Sequence, residues 1–254
     1  MADAKKKGMM MEFWTEESEN WYLDSCRFLN YPEIPLGEYF EKAIRPEDTV
    51  FDLGCAYGIT SLYLAKKCSK VYALDFSPRA VGWLEKHIKE NDIDNIVPVC
   101  GRFPSADIPV CDVTVILYVN KLIHSLDQAK AVLAATGREG FLLVNHADET
   151  GSIHDLALNQ LGMKGSNYVC RNGCYVVGLF EALGAKCDCH VIEHDYGQPV
   201  DSIEEAARFL RSMLRFGEDM LPQLQTVAQA IITEREGRLY LPNNRRSCLI
   251  HFVK

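Results

Sequence analysis

Long apolar runs are missing from this 254-residue chain: no stretch is longer than Val115-Ile116-Leu117-Tyr118-Val119. A bilayer-spanning helix needs about 20 predominantly apolar residues, so no membrane segment is expected. Positive charge is also scarce. Lys and Arg number 27 against 35 Asp and Glu, for a net charge of −8, which argues against broad electrostatic binding to nucleic acid or anionic lipid. Ten cysteines in 254 residues fall well below the roughly 8–10% typical of disulfide scaffolds. Lys5-Lys6-Lys7 would suit the start of a secretory leader, but the apolar Met9-Met10-Met11 stops at Glu12. A cytoplasmic location with reduced thiols is expected. No internal repeat and no Pro/Gly/Ser-rich linker divides the chain, and 48% hydrophobic content is enough for the core of one large α/β domain.

What is present is an alternating pattern. Residues 1–12 are charged and then Met-rich, the composition of a tail. Residues 13–45 hold two helical stretches, the first carrying Phe13, Trp14, Trp21, Tyr22, Phe28 and Leu29. Beyond Arg45-Pro46-Glu47-Asp48, the runs Thr49–Leu53, Lys70–Asp75, Ile96–Cys100, Val113–Val119 and Gly140–Val144 read as strands separated by helices. That order implies βαβ units and a parallel sheet. Ser77-Pro78 supplies an N-cap and a first-turn proline, with Val81, Leu84 and Ile88 on one helical face. In the last third, Lys186–His194 alternates loosely as a strand, Ser202 and Glu205 form a capping box, a helix covers about Met220–Arg235, and Arg246–Val253 closes the chain as a strand.

The densest local signal is Asp52-Leu53-Gly54-Cys55-Ala56-Tyr57-Gly58, a strand entering a glycine-containing loop. Glycines let backbone approach a ligand closely. The dinucleotide fingerprint G-x-G-x-x-G is absent; D-x-G-x-x-x-G stands instead. Asp75 ends the next strand 21 residues beyond Gly54, and a carboxylate there can accept both hydroxyls of a ribose. With Asp75-Phe76-Ser77-Pro78 following, the chain resembles the class I S-adenosylmethionine-dependent methyltransferases through about residue 146. Asp52, Gly54 and Gly58 match the family's first motif, and Ala56 replaces its middle glycine.

The resemblance implies a cofactor site of Asp52, Gly54, Cys55, Ala56, Gly58, Asp75, Phe76, Arg102, Phe103 and Tyr118. Arg102 falls where many relatives carry an Asp for the adenine amino group, which an arginine cannot accept. Phe103 offers a backbone N–H and a ring that would cover the base or pack in the core. Tyr118 and Asn120 leave the fourth strand at the end where ligands sit in this fold. Relatives that methylate amino groups of nucleic-acid bases carry a Pro-Pro motif there; this chain has none. His146, with Asp148 two residues on, is the first choice for a general base, because histidine titrates near neutrality; Tyr118 is the second. The alternative for His146 is a hydrogen-bonded loop residue. His87, His124 and His154 read as structural or surface residues. Cys170-x-x-x-Cys174 and Cys187-x-Cys189 lack zinc-site spacing, so no metal is expected and the thiols read as buried and free, Cys55 alone lying by the cofactor loop.

The expected architecture is an α/β three-layer sandwich with a Rossmann-like, seven-stranded, mostly parallel sheet whose last strand is antiparallel. Residues 46–254 would form it, with a helical insertion at about 201–236 and residues 13–45 as a cap. The expected activity is methyl transfer from S-adenosyl-L-methionine, leaving S-adenosyl-L-homocysteine, to a small-molecule acceptor rather than to nucleic acid. The acceptor and the oligomeric state are not legible. Two rivals stand beside it: an NAD-binding oxidoreductase, and an S-adenosylmethionine-binding regulatory protein without turnover. The aromatic N-terminal helix would serve either as a lid over the site or as an anchor to the sheet.

Overall fold

A computed structural model describes residues 14–119, 122–146, 152–163 and 173–254. The cap is α1 (Glu16–Phe28) and α2 (Glu33–Ala43). Thr15 starts α1 through a capping box with Ser18. The strands and helices then alternate: β1 (Thr49–Leu53), α3 (Ile59–Leu64), β2 (Lys70–Asp75), α4 (Pro78–Glu90), β3 (Ile96–Cys100), β4 (Cys111–Leu117), α5 (Leu126–Ala135) and β5 (Thr136–Asn145). Ser77 caps α4 through the Ala80 N–H, with Pro78 in the first turn.

The sheet runs β3-β2-β1-β4-β5-β10-β6, where β6 is Lys186–Asp195 and β10 is Asn244–Val253. Strands β1 to β5 are parallel, and β10 lies antiparallel between β5 and β6. The order reverses between β2 and β4, on either side of β1, which opens a crevice beyond their C-terminal ends.

Alternation along each strand builds two cores. On one face Val50, Val71, Val113, Phe141 and Leu249 pack with Leu36 and Phe40 of α2 and Leu84 of α4. On the other, Phe51, Leu74, Leu142, Ile250 and Phe252 meet Val132 of α5 and Phe180 of α7 (Gly173–Glu181). Helices therefore cover both faces, as strands apolar on both sides require.

A third core sits outside the sheet. Between β6 and β10 the chain forms β7 (Gln198–Val200), α8 (Ile203–Leu214), α9 (Leu221–Ile231), β8 (Thr233–Arg235) and β9 (Arg238–Leu241). The three strands pair as β7-β9-β8. The inserted segment is thus a small sheet with two helices over 198–241, wider than the helical pair expected at about 201–236. Its strands are three and four residues long, too short to show alternation in sequence. Leu210, Leu224 and Leu241 pack there with Ala157 of α6 (Ile153–Gln160).

The thiols are more open than expected. Of the nine described cysteines, all free, Cys100, Cys174 and Cys189 are exposed, while Cys170 lies outside the described residues. Cys189 sits on β6, a sheet edge, where one strand face has less cover. Among the described residues no helix is long and apolar enough to cross a membrane.

One buried ion pair ties the cap to the sheet. Arg138 grips the Asp48 carboxylate with both guanidinium ends, at 2.8 and 2.7 Å, and donates to the Ala43 carbonyl at 2.9 Å. Asp48 is 3% exposed, and hydrogen bonds from Arg138 hold its carboxyl below the usual range. Removing only the cation strands a buried charge, which typically destabilises by about 3–5 kcal/mol. Arg138→Ala is expected to lower the Tm by roughly 6–20 °C at pH 7, and Arg138→Ala with Asp48→Ala to recover part of that loss. Thermal denaturation of the three proteins measures it; equal losses in single and double variants contradict this account.

Candidate functional site

The loop after β1 is built on left-handed backbone. Gly54, Ala56 and Gly58 have φ of 83°, 47° and 72°. Glycine is required at the first and third: a Cβ on Gly54 would run into Val119, and one on Gly58 would meet the Leu84 methyls at 2.6 Å. Ala56 adopts the same region with a side chain, at a modest conformational cost. Asp75 holds the turn. Its Oδ2 accepts the Ala56 N–H at 3.0 Å and its Oδ1 accepts the Ser77 N–H at 2.8 Å. Each oxygen keeps a further acceptor position.

Around this loop the expected residues divide. Asp52 is 2% exposed and accepts from the Ser61 hydroxyl at 2.5 Å. Phe76 is 45% exposed, and the Arg102 guanidinium lies 5.4 Å from its ring centroid. These two side chains thus offer a flat, partly open surface beside Asp75. Cys55 is buried with Sγ 3.6 Å from the Ala56 carbonyl, in the core beneath the cap rather than open to the loop's outer side. The Phe103 ring packs against Phe51, centroids 5.9 Å apart, in the opposite core.

Tyr118 leaves β4 in left-handed backbone, φ 57°, with its N–H on the Leu143 carbonyl at 2.8 Å. Its hydroxyl reaches His194 Nε2 at 2.6 Å and Ser247 Oγ at 3.0 Å. The Arg245 guanidinium lies 4.8 Å from its ring centroid and donates to Asn145 Oδ1 at 2.7 Å. These residues come from the ends of β4, β5, β6 and β10, one rim of the sheet. His146 stands on that rim, half-buried, its N–H on the Arg246 carbonyl at 3.0 Å. Its expected partner Asp148, and Asn120, lie outside the described residues. His87 stacks on Trp83 at 4.8 Å, away from the rim on α4.

Several polar residues not singled out from sequence, among them Cys26, Tyr31, His194 and Tyr196, gather with Tyr22 at the inner side of α1. The Tyr31 and Tyr196 rings meet edge to face at 5.3 Å, and Tyr196 lies 5.8 Å from Tyr118. Burial pushes the Cys26 thiol up to about 12, with Tyr22 and Tyr196 beside it opposing the shift. Burial likewise raises Tyr22, Tyr31 and Tyr196 well above the usual phenol value. His194 is driven the other way, to about 4, by burial first and the Arg245 charge second. His194 had a readable signal: as the last residue of a predicted parallel strand it belongs to the same rim as Tyr118. Tyr31 and Tyr196 had none, since only folding brings them together.

Helix α1 joins this chamber to the inserted segment. Glu19 pairs with Arg79 at 2.8 Å and accepts from the Tyr57 hydroxyl at 3.2 Å, while Trp14 meets the Tyr57 ring edge to face at 5.0 Å. Farther along, Trp21 Nε1 donates to Glu205 at 3.0 Å and Ser25 to the Gly197 carbonyl at 2.7 Å. These contacts anchor the helix to the loop after β1 and to the inserted segment.

The donor set suits a nucleoside carrying an amino-acid tail. Asp75 has acceptor positions for ribose hydroxyls, Phe76 and Arg102 a flat surface for a purine, and Asp52 a carboxylate for a cationic group. Among the described residues no three His, Cys, Asp or Glu are grouped as a metal ion needs.

Burial chiefly, opposed by the Ser61 hydrogen bond, raises Asp52 to about 7. Between the ordinary carboxyl range near 4 and about 7 the folded protein holds a proton that the unfolded chain releases. This stability contribution shrinks as pH rises and is gone above about 7. Asp52→Asn is therefore expected to raise the Tm more at pH 8 than at pH 5. Thermal denaturation across that range checks this; a pH-independent difference would falsify it.

Comparison with known proteins bears on the fold. Residues 50–138 match the family model described as a methyltransferase domain. Over 83 residues the chain is 36% identical to the tRNA (guanine(37)-N(1))-methyltransferase Trm5b of Pyrococcus abyssi, a match covering 33% of this chain and 24% of that protein. Over 139 residues it is 25% identical to the ribosomal protein L11 methyltransferase of Paraburkholderia phytofirmans, covering 54% and 46%. The matches thus span less than half the length of these curated relatives. Among solved structures the fold is similar to YcgJ of Bacillus subtilis, with TM-score 0.59 and 15% identity over 86% of this chain and 97% of that one. It is also similar to a SAM-dependent methyltransferase of Aquifex aeolicus, with TM-score 0.51 and 14% identity over 92% and 99%.

Proposed function

We propose that this chain, whose residues 50–138 match the methyltransferase-domain family, transfers a methyl group from S-adenosylmethionine to a small-molecule acceptor. The observation that carries the reading is Asp75, whose carboxylate closes the left-handed loop after β1 and keeps acceptor positions beside an exposed Phe76. Bound there, S-adenosylmethionine supplies a methyl group on a sulfonium, already activated toward a nucleophile.

In this reading the chain's own residues bind, orient and exclude water. Asp75 receives the ribose hydroxyls, Phe76 and Arg102 line the purine, and Asp52 lies toward the cationic tail with the loop residues Gly54, Ala56 and Gly58 around it, Cys55 contributing only backbone because its thiol is turned into the core. Phe103 contributes backbone. Tyr118 marks the acceptor end, and His146 is the proposed proton acceptor on the adjoining rim. Positioning supplies much of the acceleration, since well-oriented reactants gain about 7–11 kcal/mol over free ones. Helix α1, held over the loop by Glu19 and Trp14, keeps water from the reacting centre.

Three features support a small acceptor. The net charge is −8, no Pro-Pro follows β4, and the phenol-rich acceptor end lies under α1, which leaves little room for a polymer. The curated relatives named above act on tRNA and on a ribosomal protein, so acceptor size is what an assay must decide.

Calorimetry with S-adenosylhomocysteine is expected to show saturable binding that NAD does not compete with. Asp75→Ala removes hydrogen bonds of a charged acceptor and should weaken that binding at least about tenfold. Absence of binding heat in the unaltered protein sinks the proposal. Binding without turnover of any small acceptor, peptide or RNA would favour the regulatory alternative.

A further inference from the structure

The cysteine spacings Cys170-x-x-x-Cys174 and Cys187-x-Cys189 take no part in the cofactor reading. The fold brings members of both beside a cysteine from a third element. Cys187 and Cys189 lie on the edge strand β6, and Cys248 lies on β10 next to it. In the antiparallel register Cys187 is opposite Phe252, Cys189 opposite Ile250 and Cys248 opposite Val191. Residues directly opposite share a face. All three cysteines are therefore on the side of the sheet where Phe252, Ile250 and Cys248 pack with Phe180 of α7. Cys174 follows Gly173 at the start of that helix.

The missing side chain of Gly173 lets the helix begin against two of these thiols. A Cβ there would lie 2.7 Å from Cys248 Sγ and 3.4 Å from Cys189 Sγ. Both sulfurs thus border one small space roofed by bare backbone. Cys248 is 4% exposed whereas Cys189 is exposed, so the space is closed toward the core and reached from the strand edge. Both thiols are free.

Geometry separates two uses of such a pair. A disulfide takes Cα atoms about 4.4–6.8 Å apart, whereas diagonal neighbours on paired strands typically lie about 7–8 Å apart. Cys189 and Cys248 are diagonal neighbours. Strand β10 is hydrogen-bonded on both sides, to β5 and to β6, so it is not free to shift toward a shorter bond. An ion between the sulfurs spans the longer gap, and thiolates select soft ions. Structural zinc takes four ligands and iron–sulfur clusters take four cysteines, but among the described residues no three candidate ligands are grouped. Copper(I) is the soft ion that is stable with two.

We propose that Cys189 and Cys248 form a two-thiolate site for a soft, two-coordinate ion of the copper(I) class beneath the first turn of α7. On binding, each thiol gives its proton to water and a sulfur lone pair to the ion; no electron is transferred, and sulfur and copper keep their oxidation states. Gly173 is part of the site by what it lacks, since any side chain there would fill the space the sulfurs share. Tyr118 packs in the core on the other face of the sheet, so this site is separate from the acceptor rim and does not rest on the methyl-transfer reading.

The test titrates the full chain, reduced and kept without air, with copper(I) against the chromophoric chelator bicinchoninate, which outcompetes single thiols. One copper per chain should leave the chelator, and X-ray absorption at the copper edge should report two sulfur ligands. Cys189→Ser and Cys248→Ala should each weaken binding at least about a hundredfold, since changes to groups that merely support a metal ligand already cost about 10–100-fold. Gly173→Ala keeps both thiols but crowds them, and should weaken binding at least about tenfold. Cys100→Ser on the far strand β3, Cys174→Ser and Cys187→Ser should leave the affinity within about twofold. Circular dichroism establishes that each variant is folded; if Cys248→Ala is not, Cys189→Ser at the exposed edge and Gly173→Ala decide. The proposal is overturned by copper that stays with the chelator, by unchanged binding in Cys189→Ser, or by three or more sulfurs on the ion. A Cys189–Cys248 disulfide in peptide maps of air-exposed protein would overturn it too, making the pair a redox element instead.

Discussion

One carboxylate, that of Asp75, holds the site in shape. It sits at the end of β2 and receives two backbone N–H groups, one from Ala56 in the loop after β1 and one from Ser77 at the start of α4. The tether helps offset the modest cost of left-handed backbone at Ala56, together with the Gly54 and Cys55 N–H groups on the Leu74 carbonyl. Because the sheet is covered on both faces, its strand ends are the natural opening for a ligand. Asp52, Asp75, Tyr118, Asn145 and His194 all lie along that one rim.

The electrostatics of the rim follow from the same burial. Asp52, shut beneath the cap, titrates near neutrality, whereas Asp48, equally buried but gripped by Arg138, stays ionised. The difference is the partner: a hydroxyl for one and a bidentate guanidinium for the other. Four tyrosines, Tyr22, Tyr31, Tyr118 and Tyr196, crowd the same chamber, three of them with phenol protons held firmly by burial. This part of the rim thus offers neutral oxygen and nitrogen atoms rather than charges, with Arg245 engaged by Asn145 and the Tyr118 ring.

The N-terminal helix and the inserted segment make one cover. Glu19 and Trp14 fasten α1 to the cofactor loop, while Trp21, Ser25 and the Asp24–Arg238 pair at 2.9 Å fasten it to the insertion. Glu205 illustrates the economy of the joint: its backbone N–H bonds the Ser202 hydroxyl, one carboxylate oxygen accepts from Asp201 and the other from Trp21. Of the capping box expected from sequence only the Ser202 half forms; the Glu205 carboxylate instead takes the Asp201 and Trp21 donors and so anchors the cap.

Local chemistry was readable before folding. The apolar runs and the helical pattern located β1 to β5 and α4; D-x-G-x-x-x-G with Asp75 located the loop and its tether; the Ser77-Pro78 and Ser202–Glu205 signals located helix starts. Each depends on residues close in the chain, where backbone preference and side-chain capping act. Tertiary structure alone decided the rest. It turned the Phe103 ring into the core, spread the insertion into a three-stranded sheet, and brought Tyr118, His194 and Ser247 together from positions 76 and 129 residues apart. Strand ends meet because hydrogen-bonded register aligns them across the sheet, a long-range constraint that no local pattern contains.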